Sequence, residues 1–143
     1  MEDLWGFKDA KSLRKEVANM PDSILKEQSA LISDKTEYQI YGKITNCKVK
    51  REDIDYEMAS IFDIVVPSLD NYSTTILIMY SHPESEYPIA ITVGSNYITD
   101  LDWFDPKYVC NDRESFKKSV KEILSSEDVL NKVRVLFSKA TIF

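Results

Sequence analysis

The order of hydrophobic periods along the chain predicts an α+β fold: N-terminal helices, a largely antiparallel sheet of about four to five strands, then two C-terminal helices. Three observations carry this expectation. Apolar residues recur about every three to four positions up to Thr36 and again after Asp112. Between those points the period falls to about two. The strand-like runs are joined by short turn sequences, LDNYS and SHPESE, and not by the helical stretches that a parallel βαβ sheet requires. A length of 143 residues suits a single domain, residues 1–143, able to bury a core without a disulfide or metal staple.

Each element has its own sequence basis. Residues 1–20 read as a first amphipathic helix with a loose start, on the spacing of Leu13, Val17 and Met20. PDSILKEQSALISDKT follows as a second helix, capped by Asp22 or Ser23, with Ile24, Gln28, Leu31 and Ile32 on one face. In YQIYGKITNCKVK, Tyr38, Ile40, Gly42 and Ile44 share one side of a strand. Cys47 and Val49 continue the apolar row after a register change, which predicts a bulge near Thr45 or Asn46. REDIDYE reads as a loop and SIFDIVVP as a strand ended by Pro67. TTILIMY is apolar on both faces, the pattern of a central strand, and YPIAITV is a further strand with Pro88 near its start. A short strand is expected at Tyr97 to Thr99 within SNYITDLDWFDPKY. The chain closes on RESFKKSVKEIL, capped by Asn111 with Glu114 or by Asp112, and on SEDVLNKVRVLFSKA, started by Ser125 or Ser126. Phe116, Val120, Ile123 and Leu124 mark the inner face of the first, and Val129, Val133, Leu136 and Phe137 that of the second. VRVLF alone could also form a short strand.

The composition excludes more chemistry than it suggests. The three glycines, at positions 6, 42 and 94, cannot build a phosphate-cradling loop. His82 is the single histidine and lies in a turn before Pro83, so neither HExxH nor a zinc site of paired Cys and His is available. A Ser–His–acid triad would have to use His82. Asp100, Asp102 and Asp105 start like a calcium loop, but Phe104, Asp105 and Asn111 occupy its fifth, sixth and twelfth positions. No metal or other cofactor is expected. Cys47 and Cys110 stand 63 positions apart with no CxxC, which reads as reduced thiols of a cytoplasmic protein. The acidic start lacks the apolar run of a signal peptide, and no run approaches the about 20 residues that cross a bilayer, so no membrane partner is expected. Nucleic acid is disfavoured as well: the net charge is −6, and the basic cluster KVKR is followed at once by Glu52, Asp53 and Asp55.

The charge is unevenly placed. Residues 58–106 hold seven carboxylates and neither Lys nor Arg, while the flanks together balance 18 basic against 17 acidic residues. Trp103, Phe104 and Tyr72, Tyr80, Tyr87 and Tyr97 share that acidic segment. Aromatic side chains among charges of one sign suit a surface that meets a basic protein. The expected contact residues are Glu84, Glu86, Asp100, Asp102, Trp103 and Asp105, with Tyr87 and Tyr97 as anchors.

The ILKEQ helix, the VPSLDNY strand turn and the KEILSSE helix junction, spread over about residues 22–140, resemble a set of small bacterial α+β proteins of uncharacterised function. In overall character, small and acidic without catalytic motifs, the chain is similar to immunity proteins of bacterial toxin systems. That resemblance implies a non-enzymatic module masking a basic toxin or effector surface. Two other readings stand beside it. One is a small-molecule-binding or enzymatic domain using His82. The other is a regulatory subunit that binds a protein through an exposed face of Val129, Val133 and Phe137.

Overall fold

A computed structural model describes residues 1–94 and 104–142. The elements run α1 (Ala10–Glu16), α2 (Pro21–Lys35), β1 (Tyr41–Lys48), β2 (Met58–Val66), a 3-10 turn (Pro67–Leu69), β3 (Tyr72–Ser81), β4 (Ile89–Val93), β5 (Tyr108–Cys110), α3 (Arg113–Leu124) and α4 (Glu127–Ile142). The five strands form one antiparallel meander in sequence order, as α+β periodicity predicts. β3 lies in the middle, and from Thr75 to Tyr80 every residue is buried, which explains its two apolar faces.

Alternation sorts the sheet into two faces. Phe62, Ile64, Val66, Leu77, Met79, Ile89 and Ile91 point to the helices and join Ile24, Leu25, Phe116, Val120, Val129 and Leu136 in the main core. The opposite face carries a smaller cluster of Ala59, Ile78, Tyr80 and Ala90. It is covered by Ile54 and Tyr56 from the β1–β2 connection and by Phe104. The connection read as a loop is thus a lid over the second face.

Several boundaries differ from the sequence reading. α1 is only seven residues long and buries none of them, so the period of Leu13, Val17 and Met20 does not mark a core helix. α2 begins one turn position earlier than Asp22, with Pro21 at its first position and no side-chain cap on Met20. Leu25 is inside, whereas Leu31 is 41% exposed. α2 crosses β1 where Ser29 meets Gly42, and a Cβ on Gly42 would lie 2.8 Å from the Ser29 Cα. This close approach is what the strand glycine permits.

β1 pairs with β2 residue for residue, so no bulge interrupts Thr45 or Asn46. The irregularity is one strand further on: Phe62 faces Leu77 and Asp63 faces Thr75, leaving Ile76 as the extra residue. Cys47 therefore faces away from the helices and is exposed. β5 was not expected, and it adds a short outer strand through Ile89–Cys110 and Ile91–Tyr108 pairing. The strand expected at Tyr97 to Thr99 lies outside the described residues. VRVLF is helical, and α4 turns Val129, Leu136 and Ala140 inward while leaving Phe137 36% exposed.

Candidate functional site

The meander brings three segments to one end of the sheet: the start of α2, the β1–β2 connection and the β3–β4 connection. Asn46 pairs with Ser60 across β1 and β2, and Met58 with Ser81 across β2 and β3, two neighbouring pairs that together make a short row of side chains on one face. Between that row, the start of α2 and residues 82–86 lies a cleft of about 530 Å³. Met20, Pro21, Met58 and Ile89 supply apolar walls, and the Ser60 hydroxyl donates to Asn46 Oδ1 at 2.7 Å on its floor. Its charged lining consists of Asp22, Glu84 and Glu86, and among the described residues no lysine or arginine lines it.

His82 lines the same cleft and is half-buried, not a fully solvated turn residue. Its ring stacks on Tyr56, with centroids 4.9 Å apart. Tyr56 in turn meets the edge of Phe104 at 6.1 Å, and Phe104 meets Tyr80 at 4.8 Å. This chain of rings fastens the β1–β2 lid to the β3–β4 end. Burial raises the Tyr56 and Tyr80 hydroxyl pKa values, and the neighbouring Asp55 carboxylate adds to the effect at Tyr56. Within the lid, Arg51 forms a two-point pair with Asp53, at 2.9 and 2.6 Å, that holds the Asp53 carboxyl below its usual range. One charge of the basic cluster KVKR is thereby matched within the lid.

The residues expected to contact a partner fall into three groups. Glu84 and Glu86 are exposed at the mouth of the cleft, and Asp105 is exposed next to Phe104. Tyr87 is not an exposed anchor, because its ring packs against the main core and its hydroxyl is buried without a hydrogen-bond partner among the described residues. Burial, then the charge of Glu86, raises its pKa. Tyr97, Asp100, Asp102 and Trp103 lie outside the described residues.

Asp22, Met20 and Tyr56 were not expected at the site. Asp22 reads in the sequence as a helix cap, and only the packing of α2 over β1 turns it toward residues 82–86. Of Val129, Val133 and Phe137, Phe137 alone is exposed, so the expected face is not a continuous apolar surface. Val129 is buried, Val133 packs against the core, and α4 instead exposes Leu130, Val135, Phe137 and Ile142.

Among the described residues no group of three His, Cys, Asp or Glu side chains is arranged to hold a metal. No helix among them is long and apolar enough to cross a membrane. Cys110 is buried and free, and its thiol lies 3.4 Å from the Ser119 hydroxyl. Comparison with known proteins returns no matching family model, no matching curated protein and no matching solved structure.

Proposed function

We propose that this protein is an acidic protein-binding module of the immunity type, acting in the cytoplasm and masking a basic surface of a toxin or effector. The observation that carries the reading is the cleft beside His82, whose charged lining is carboxylate only. Its volume admits a lysine or arginine side chain lying along it, with Met20 and Met58 against the aliphatic stem and Glu84, Glu86 and Asp22 meeting the cation at the mouth. Arg is favoured over Lys, because its fork can engage two carboxylates at once. The net charge of −6 would speed the encounter with a basic partner and make it salt-dependent.

His82 lends some weight to the small-molecule reading, since it lines the same cleft. Its ring, however, is engaged by Tyr56. The masking role therefore takes precedence.

The test is capture from the native cell with tagged protein at low and high salt, followed by identification of the bound protein. A basic partner released by salt, and lost when Glu84 and Glu86 are both changed to Lys, is the expected outcome. Co-expression should then protect cells from that partner. Retention of the partner by the charge-reversed protein would overturn the site. Catalytic turnover abolished by His82→Ala would favour the small-molecule reading instead.

A further inference from the structure

The opposite end of the molecule carries an apolar groove, and residues 1–9 carry side chains that match it. All nine of these residues are exposed, with Leu4 at 85%, Trp5 at 77% and Phe7 at 41%. Among the described residues Trp5 and Phe7 pack edge to face on each other, 5.9 Å apart, and the helix that follows buries nothing. Contiguous exposed rings of this kind mark a contact surface. The groove, of about 710 Å³, runs between α4 and the start of β3. Leu69, Tyr72, Val135 and Leu136 form its apolar lining, with Lys132 and Lys139 beside them. Tyr72 and Val135 are 52% and 43% exposed, so the apolar lining itself faces solvent.

We infer that residues 2–7 of one copy of this chain dock into the α4–β3 groove of a second copy, forming a reciprocal dimer. The complementarity is both apolar and ionic. Leu4, Trp5 and Phe7 match the apolar lining, and Glu2 and Asp3 precede them in position to meet Lys132 and Lys139. The indole N–H of Trp5 needs an acceptor when buried, and Asp128 and Asn131 in the groove provide one. A slot between α2 and α3 also has two lysines, Lys117 and Lys121, but is smaller at about 440 Å³. Its acceptors for the indole are Gln28 and Ser125, and its lining holds no carboxylate such as Asp128.

A second copy is the better donor on geometric grounds. α1 joins α2 beside Met20 and Pro21, at the His82 end of the sheet. The groove begins at Tyr72, the far end of the ten-residue β3, roughly 30 Å away. Residues 1–9 attach through α1, and in their own chain Leu4, Trp5 and Phe7 stay exposed and leave Tyr72 and Val135 uncovered. A two-fold pair would bring each segment to its partner's groove.

Sedimentation velocity over a wide concentration range tests the inference on the full chain. A monomer–dimer equilibrium is expected, weakened about tenfold or more by Trp5→Ala, which removes an exposed side chain and leaves the monomer folded. Changing both Lys132 and Lys139 to Glu, or both Glu2 and Asp3 to Lys, should each abolish the dimer. Mixing those two charge-reversed proteins should restore it as a heterodimer, a result that misfolding cannot produce. A monomer at all concentrations would overturn the inference, as would a dimer indifferent to Trp5→Ala. Loss on changing Lys117 and Lys121 to Glu, with Lys132 and Lys139 variants unaffected, would overturn the groove assignment.

Discussion

Thr36 ties the end of α2 to the start of β1 through one buried hydroxyl. That hydroxyl donates to the Ile32 carbonyl at 2.8 Å and accepts from the Ile40 amide at 3.1 Å. The two residues after it, Glu37 and Tyr38, take positive φ values of 51° and 64°, a reversal that non-glycine residues adopt only when held. Thr36→Val keeps the shape but strands the Ile40 amide in a buried site. A loss of about 1–3 kcal/mol in urea unfolding is expected. Asp112 offers a second residue-scale test. Its carboxylate accepts the Ser115 amide at 2.8 Å, completing a capping box that holds its pKa below the ordinary range. A depressed folded pKa means stability that is present above the unfolded pKa and lost as pH falls through the folded one. Asp112→Asn keeps an acceptor but cannot titrate. The difference in unfolding midpoint between the two proteins should therefore be constant near neutrality and should change only below about pH 4.

At the scale of elements, the sequence revealed periods well and neighbours poorly. β3 and α3 were legible because burial on both faces, or on one stripe, writes itself directly into residue type. The phase shift of the apolar row predicts a bulge in β1, whereas the bulge lies in β3, because such a shift looks the same whether the strand bulges or, as at Cys47, simply turns an apolar side chain outward. β5 is only three residues long, too short to establish a period, and exists because β4 has a free edge beside it. The cleft was half legible. Glu84 and Glu86 stood out by charge, but Asp22 joins them only through the crossing of α2 over Gly42, a contact between residues distant in sequence. The β1–β2 lid shows the same limit, since nothing in REDIDYE announces that Tyr56 will stack on His82. Tyr56→Ala should cost about 1–3 kcal/mol, less than a fully buried ring. Amide exchange should quicken across residues 49–57 while the centre of β3 stays protected, and uniform loss of protection would show that the lid is not a separable unit.

Across the whole molecule, the acidic cleft and the α4 groove lie at opposite ends of β3. The carboxylates of the cleft sit where β3 finishes, and the α4 groove sits where it starts. Such a division lets one chain pair with its copy at one end while presenting an acidic cleft at the other. Sites this far apart with no shared side chains are expected to behave independently. Trp5→Ala should thus shift sedimentation without changing capture of a basic partner. Reversal of Glu84 and Glu86 should abolish capture without changing sedimentation. The doubly altered protein should show both defects and no more. If removing the dimer also weakened capture, the partner would have to span both copies. The cleft would then be one half of a composite surface, because two linked sites bind far more tightly than either alone.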